Sequence, residues 1–382
     1  MPEPMSAILL KVRNINPLTP KSFAAALGDF DFDGTATAAE MRAFWQLAHD
    51  CIDAAPEKSL HRRTAMFAMS GFLMIESAAA FPKLNVKIVT YQMVLRLLKP
   101  ERVNQRVFGI CGPAHFILLL IKSRPIKYVS MAFDLLTKGK TMGEDGFEII
   151  PDKYVLDFEP GESIPEADWL LAAPLRNAQT PIPPGKERGV YGGTNGPEVF
   201  AYFQHAGYER IVLLSCYQRS TDWLGHALKP GHYEQFEPSE LRKMVEGFAA
   251  GDKMSDPIVN FRIACKLREI GWRVMLQTNA ELIKFDPITD KEREAAKTGK
   301  TFDVKRLADK EEAWKGIVTE KTMSPGIYTQ NVGHWVLAKE IAIKGDAVKM
   351  TVYTWGTQHS VKAQITLKEF SNCYGGFVAA FA

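Results

Sequence analysis

The chain has 382 residues, of which 46% are hydrophobic and 24% are charged, a balance typical of a globular protein with a large core. The formal net charge of +3 is too small to suggest a nucleic-acid-binding protein, and no basic stripe with interleaved aromatic residues occurs in the sequence. The five cysteines are an odd number without paired spacing, which argues against a disulfide framework.

The N-terminus lacks the features of a secretory signal peptide, because no basic segment precedes its short apolar stretch at residues 7–10. The most apolar stretch, residues 64–81, contains Glu76 and predicts a buried helix rather than a membrane span. We therefore expect cytoplasmic synthesis without a Sec signal and no membrane span. Export by a specialised secretion system would leave no recognisable mark on such a sequence.

Residues 29–40 form an acidic loop with a regular spacing of oxygen-bearing side chains. Three alternate aspartates are followed by a glycine and, six residues later, by a glutamate, which is the D-x-D-x-D-G-x5-E pattern of calcium loops. The flanking residues 22–27 and 39–51 have the apolar spacing of helices. The segment resembles an EF-hand, and Ca²⁺ is the expected ligand. The predicted ligands are Asp29, Asp31, Asp33, Glu40 and the backbone carbonyl of Thr35, with Thr37 binding through water and Gly34 at the turn.

Two features of the acidic loop leave an alternative open. Ala36 departs from the EF-hand pattern, which prefers a branched apolar residue there, and no second loop of this kind occurs in the sequence. The hand would therefore be unpaired and its calcium affinity modest. The alternative is an acidic turn that caps the helix that follows, a role that an Asp-Gly sequence also favours.

Cys111 stands at the start of an apolar run, residues 111–121, that predicts a buried helix. Pro113 is compatible with the first turn of a helix, because N–H groups there have no hydrogen-bond partner inside the helix and proline lacks only that group. Cys111 is therefore expected at or next to a helix N-terminus, where backbone N–H groups and the helix dipole favour a thiolate. Gln105 lies six residues before this thiol.

His334 is the candidate base for this thiol. It opens an apolar stretch that continues to residue 338, and a turn signal at residues 344–346 leads into a second run at 348–355. The pattern predicts a hairpin with His334 at the head of its first strand.

These blocks resemble the papain-like cysteine peptidase superfamily. The resemblance rests on the Gln-x5-Cys-Gly spacing, the later Gly-His-Trp that enters a strand, and Trp-Gly-Thr at residues 355–357. The Cys-Gly-Pro-Ala form is most similar to the bacterial branch that includes the bacteriocin-leader peptidases. The resemblance covers residues 105–121 and 331–378, and residues 261–282 are similar to the family's helix-then-strand segment. It implies that Cys111 is the nucleophile, that His334 is the general base, and that Gln105 is a hydrogen-bond donor in the oxyanion hole.

The third member of the family's site, an Asn or Asp that orients the His, has no counterpart here. Its position is occupied by Tyr353, followed by Thr354, and neither is a carboxylate or an amide. Either the site works as a Cys–His pair, or Thr354, Gln358 or a more distant residue orients His334.

The predicted fold class is α+β, with a papain-like core in which the Cys111 helix packs on an antiparallel sheet. A helical N-terminal region is expected over residues 1–100 and a hydrolase domain over residues 101–382, with a charged, solvated insertion at 284–322. Two strand-like segments are predicted at residues 153–158 and 169–173.

The expected activity is that of a cysteine-dependent hydrolase, with a protein or peptide as substrate, Ca²⁺ in a structural or regulatory role, and no organic cofactor. The same residues would serve a deamidase, a transglutaminase or an acyltransferase. A bacterial effector or toxin that is exported could have the hydrolase activity or one of these. A third alternative is a calcium-binding interaction protein that has lost catalysis, which Tyr353 favours. No nucleic-acid partner is expected, and the sequence does not specify an oligomeric state.

Overall fold

A computed structural model describes residues 1–55, 60–181, 194–216, 256–297, 301–319 and 333–381, together with the backbone of 232–234. With 54% helix and 17% strand, it confirms the predicted α+β class. The chain divides into two compact units. The first comprises residues 1–194, 201–208 and 354–357, and the second comprises 195–200, 209–353 and 358–382. The boundary predicted after residue 100 thus falls inside the first unit.

The first unit is built from helices and one short hairpin. Its helices are α1 (Met5–Arg13), α2 (Pro20–Ala26), α3 (Ala38–Ala54), α4 (Leu60–Ala68), α5 (Val86–Leu98), α6 (Cys111–Ser123), α7 (Pro125–Lys138), α8 (Lys153–Leu156) and α9 (Glu166–Gln179), and the hairpin pairs β1 (Thr141–Met142) with β2 (Glu148–Ile149). A further helix, α10 (Gly196–His205), begins in the second unit and ends in the first.

Two helices form the core of the first unit. In α5, eleven of the 13 residues are buried, and in α6 all residues from 111 to 121 are buried. Such all-round burial follows from apolar side chains on every face of the helix. Helix α6 packs against α7 and α9, which cover it within this unit.

Side-chain caps set the starts of the helices around the acidic loop. Thr37 caps α3 by accepting a hydrogen bond from the N–H of Glu40, and Glu40 reaches back to the N–H of Thr37. Asn85 caps α5 by accepting from the N–H of Lys87 at 2.9 Å. These bonds, which are reciprocal at α3, satisfy N–H groups that have no partner inside the helix.

Three secondary-structure predictions in this unit were wrong. Residues 153–156 form α8 rather than a strand, and residues 169–173 lie inside α9. In α9 every residue from 167 to 177 is buried, so the apolar pattern has no period that distinguishes a helix from a strand. The helix predicted over 64–81 ends at Ala68 and continues as a 3₁₀ helix, Met69–Met74.

The second unit is organised around a sheet. Its described strands are β3 (Arg210–Ser215), β4 (His232–Glu234), β5 (Arg273–Thr278), β6 (His334–Lys344), β7 (Ala347–Thr354), β8 (Thr357–Ser360), β9 (Ile365–Thr366) and β10 (Tyr374–Phe381). Their order is β4-β3-β10-β5-β6-β7-β8, with β9 also paired to β7. The pairings of β10 with β3 and β5, and of β6 with β5 and β7, are antiparallel. The last strand of the chain therefore lies between two earlier ones, and its residues 374–380 are buried.

The helices of the second unit are α11 (Pro257–Glu269), α12 (Ala280–Lys284), α13 (Asp290–Lys297), α14 (Thr301–Val318) and α15 (Leu367–Ser371). Helix α11 packs on β5, β6 and β10. Helices α13 and α14 lie in the predicted charged insertion, and α13 buries no residue, which agrees with a solvated surface. Residues 298–300 and 320–322 of that insertion lie outside the described residues. None of the helices described is long and apolar enough to cross a bilayer.

Candidate functional site

Cys111 is the first residue of α6, as the sequence predicted, and its side chain is 3% exposed. The N-cap residue, Ile110, has no side chain that can bond the first turn, and Pro113 has no N–H. The carbonyl of Ile110 accepts from the N–H of Ala114 at 3.0 Å, which is the first i to i+4 hydrogen bond of the helix. Cys111 therefore lies at the positive end of the helix dipole, beside the N–H groups of the first turn.

The backbone around Cys111 is tightly enclosed. A Cβ atom at Gly112 would lie 2.6 Å from Cβ of Thr194, so a larger residue does not fit without a shift of that neighbour. One turn later, Nδ1 of the buried His115 donates to the carbonyl oxygen of Cys111 at 2.7 Å. Both contacts fix the first turn of α6.

The loop before α6 carries Gln105, which is 6% exposed. Its Oε1 atom has no hydrogen-bond partner among the described residues. The loop itself is held by backbone bonds: the N–H of Phe108 donates to the carbonyl of Gln105 at 3.0 Å, and the N–H of Arg106 donates to Oδ1 of Asn104 at 2.9 Å. Buried polar atoms without partners are uncommon, and an acceptor such as Oε1 can take a donor from water or from a ligand.

A buried guanidinium connects this loop to two helices and to the acidic loop. Arg96 of α5 is fully buried and donates to Asp168 of α9 through Nε at 3.0 Å and Nη2 at 2.6 Å, and to Asp29 through Nη1. Asp168 also accepts from the N–H of Asn104 at 3.0 Å. Burial by itself lowers the pKa of Arg96, but the carboxylates of Asp168 and Asp29 outweigh it and raise that pKa. The charged Arg96 is thus connected, through Asp168, to the backbone of Asn104, the residue before Gln105.

The acidic loop contacts the same segment at two further points. Nη1 of Arg102 lies 3.4 Å from Oδ1 of Asp29, and the guanidinium carbon of Arg106 lies 4.6 Å from the centre of the Phe30 ring. A cation over an aromatic face is attracted to it. The first residues of the acidic loop are therefore joined to residues 102–106.

The backbone of the acidic loop has two features of a calcium loop. Gly34 has a φ of +86°, the left-handed conformation that the sharp turn requires, and α3 begins two residues before Glu40. The donors, however, have other partners. Asp29 is paired with Arg96, and the carbonyl of Thr35 accepts from the N–H of Met5 at 2.9 Å.

The closing carboxylate is also engaged elsewhere. Oε2 of Glu40 accepts from the N–H and hydroxyl of Thr37 at 2.7 and 2.9 Å, and these bonds lower the pKa of Glu40. Among the described residues, no three His, Cys, Asp or Glu side chains are grouped to hold one metal ion. This conformation does not fit a bound Ca²⁺; it matches the alternative of an acidic turn that caps α3. Calcium binding stays a prediction, and it would compete with the ion pair of Asp29 with Arg96 and with the hydrogen bonds of Glu40 to Thr37.

His334 is the first residue of β6, as predicted, and is 7% exposed. It lies opposite Thr278 of β5 in the strand register. The hydroxyl of Thr278 donates to the carbonyl of Cys373 at 2.9 Å. Cys111 and Gln105 belong to the first unit, whereas His334 belongs to the second.

Two positions considered for the third catalytic residue, in β7 and β8, contact β6 residues further along the strand than His334. Tyr353 pairs with Leu337, three residues from His334, which is roughly 10 Å along a strand. Gln358 accepts a hydrogen bond from Nζ of Lys339 at 2.8 Å. Sequence reasoning missed Thr278 as the residue opposite His334, because the pairing of β5 with β6 leaves no local signal in either segment.

The remaining four cysteines are poor nucleophiles. Burial raises the pKa of Cys51 to about 11 and the pKa values of Cys265 and Cys373 to about 12. The pKa of Cys216 is also raised, first by burial and then by Asp256. These thiols are protonated at neutral pH, and a protonated thiol attacks carbonyls and alkylating agents slowly.

Comparisons with protein-family models, with curated proteins and with solved structures found no match to this chain.

Proposed function

We propose that the protein is a cysteine-dependent hydrolase that cleaves peptide bonds on a papain-like core. Cys111 is the nucleophile, His334 the general base and Gln105 a donor to the oxyanion. The observation that carries the proposal is the position of Cys111 at the start of a 13-residue helix whose first turn has no side-chain cap within the described part of the chain. Gln105 is buried in the loop before α6, six residues before Cys111, which supports its assignment as a polar group of the same site.

The proposed reaction has two steps. The thiolate of Cys111 attacks the substrate carbonyl carbon, and the oxygen gains negative charge that the backbone N–H of Cys111 and the side-chain amide of Gln105 stabilise. The protonated imidazole of His334 gives its proton to the leaving amine as the carbon–nitrogen bond breaks. His334 then takes a proton from a water molecule as that water attacks the thioester. The carbon–sulfur bond breaks, the acid is released, and Cys111 returns to a thiolate with His334 protonated.

Selective alkylation tests the nucleophile. We expect iodoacetamide at neutral pH to modify Cys111 faster than the other four thiols, because burial raises the pKa values of Cys51, Cys216, Cys265 and Cys373. Mass spectrometry of proteolytic peptides measures each rate. Labelling of Cys111 no faster than that of Cys216 would refute its assignment as the nucleophile.

The pH dependence of the same alkylation tests the base. If His334 shares a proton with Cys111, a plot of the alkylation rate against pH should change slope near the pKa of an imidazole. His334→Ala should remove that change of slope. His61, an exposed residue of α4, provides the matched control, because His61→Ala should leave the profile unchanged. Identical profiles in all three proteins would remove His334 from the mechanism.

The same nucleophile would serve a deamidase, a transglutaminase or an acyltransferase, which differ from a peptidase in the group that accepts the acyl carbon. Incubation of a protein lysate with the wild type and with Cys111→Ala separates them by mass spectrometry. A peptidase creates new chain termini, a deamidase converts amides to acids, and a transferase adds a group. An interaction protein that has lost catalysis would produce none of these changes.

A further inference from the structure

A broad groove lies in the second unit, between α11 and the β6–β7 hairpin, and residues 360–364 complete its wall. Its volume is about 1380 Å³. Small-molecule sites usually measure roughly 300–1,000 Å³, so the groove is larger than a single small ligand requires.

The groove is strongly basic. Seven of its lining residues are cationic and only two, Glu269 and Glu340, are anionic. Two of the lysines have a carboxylate partner: Nζ of Lys266 lies 2.6 Å from Glu269, and Nζ of Lys362 lies 3.7 Å from Asp286. Three cations have no ion pair with any of the described residues and are exposed to solvent: Arg262, Lys344 and Lys349. Like charges collected in one concave surface repel each other and create a field that attracts an anion.

The lining distinguishes between kinds of anion. None of the groove residues within the described ranges is aromatic, whereas surfaces for single-stranded nucleic acid use aromatic side chains to stack bases. The aliphatic side chains of Val259, Ala342 and Ala347 line the same groove and can contact the carbon atoms of a peptide. In the strand register, Ala342 lies opposite Lys349 and Ala347 lies opposite Lys344, so these four side chains share one face of the hairpin. Most of the cations are lysines, whose flexible stems let their charges follow carboxylates spaced along a chain.

We propose that this groove binds an extended acidic peptide segment of a partner protein. Carboxylates of the segment pair with Arg262, Lys344 and Lys349, and its aliphatic carbons contact the apolar part of the lining. The binding does not depend on Cys111. It is therefore measured in the Cys111→Ala variant, so that a failed hydrolase assignment and a failed groove assignment give different results.

The test is fluorescence anisotropy of a labelled oligoglutamate peptide titrated with full-length Cys111→Ala protein. Parallel titrations use an oligolysine peptide, labelled oligothymidylate and vesicles that contain an anionic phospholipid. We expect oligoglutamate to bind most tightly and its affinity to fall as salt is added, because exposed charges are screened within about 10 Å at 0.1 M salt.

Two matched variants locate the site. Reversing three charges in the groove, with Arg262→Glu, Lys344→Glu and Lys349→Glu, should weaken oligoglutamate binding by more than about tenfold. The control reverses three exposed cations of the first unit, with Arg13→Glu, Lys21→Glu and Lys153→Glu, and so makes the same change in net charge. Circular dichroism checks that both proteins fold, and Lys349→Glu alone replaces the triple variant if it does not.

Equal weakening in the groove variant and the control would show only a general effect of net charge and would overturn the proposal. Tighter binding of oligothymidylate or of vesicles than of oligoglutamate would also overturn it, as would the absence of measurable oligoglutamate binding at low salt.

Discussion

The buried guanidinium of Arg96 joins three parts of the first unit that are distant in sequence: α5, α9 and the acidic loop. Charges out of water are costly, and they are tolerated when each donor has a carboxylate partner in good geometry. An arginine suits this role because its guanidinium can donate from two nitrogens to one carboxylate and from the third nitrogen to another. Asp168 also holds the backbone of Asn104, so the network extends to the loop before α6.

Asp168→Asn should lower the free energy of unfolding by about 3 kcal/mol, because it leaves the Arg96 charge buried with only one carboxylate partner. Urea unfolding followed by circular dichroism measures the loss. Asp134→Asn is the matched control, since Asp134 forms an exposed pair with Lys138 at 2.7 Å, and it should cost less than about 0.5 kcal/mol. Equal losses in the two variants would show that burial of the pair has no energetic importance.

Gln105→Ala tests a single donor of the proposed hydrolase. Loss of one oxyanion donor typically lowers kcat by about 10²–10³, so turnover of a peptide substrate should fall by that factor. Alkylation of Cys111 should keep its wild-type rate, because iodoacetamide creates no oxyanion. Gln46→Ala, at an exposed position of α3, serves as the control. Loss of alkylation together with turnover would instead indicate that Gln105 maintains the local structure.

At the level of the element, the acidic loop combines the sequence pattern of a calcium loop with the contacts of a helix cap. We expect calorimetric titration to give a calcium Kd no tighter than roughly 10⁻⁴–10⁻³ M, because the ion must compete with Arg96 for Asp29 and with Thr37 for Glu40. Glu40→Gln separates the two roles, since a glutamine can still cap α3 but supplies only one side-chain oxygen to a metal. A micromolar Kd that is lost in Glu40→Gln would contradict this expectation and establish a calcium site.

Helix α6 offers a second test, because its first turn depends on a glycine. Gly112→Ala should destabilise the protein by about 1–3 kcal/mol, since the added methyl group would lie 2.6 Å from Thr194. Gly316→Ala in α14 has open space around it and should stabilise that helix by up to about 1 kcal/mol. Thermal unfolding compares the two. Similar effects of the two substitutions would show that Thr194 does not pack against the first turn of α6.

At the scale of the molecule, the sequence predicts those elements whose signals are local. The apolar run after Cys111, with Pro113 in its first turn, predicts α6, and the turn at residues 344–346 predicts the hairpin headed by His334. The strand predicted at residues 169–173 was wrong because the residues around it are buried on every side.

Contacts between distant residues could not be predicted from one sequence. Arg96 and Asp168 are 72 positions apart, and nothing near either residue indicates its partner. The register that places Tyr353 beside Leu337 depends on a bulge between Ala338 and Glu340. A shift of one residue would move each side chain to the other face of the sheet, so the third position of the candidate site could not be assigned by spacing alone.

The pH dependence of stability depends on a carboxyl group that links α9 to the start of α5. Oε2 of Glu166 accepts from the N–H of Asn85 at 2.6 Å, yet burial outweighs this bond and raises the pKa of Glu166 from 4.5 to about 7. A folded-state pKa above the unfolded value means that the folded protein holds this proton more tightly. Ionisation of Glu166 therefore removes stability as the pH rises from about 4.5 to about 7.

Glu166→Gln removes this titration while keeping an oxygen that can accept from Asn85. The variant should gain stability relative to the wild type as the pH rises, by at most about 3 kcal/mol above pH 8, and should show no gain at pH 4. Urea unfolding across this pH range gives the difference at each point, with Glu162→Gln as the exposed control. Parallel stability curves for Glu166→Gln and the wild type would contradict the prediction, because the carboxyl group would then ionise equally easily in the folded and unfolded chains.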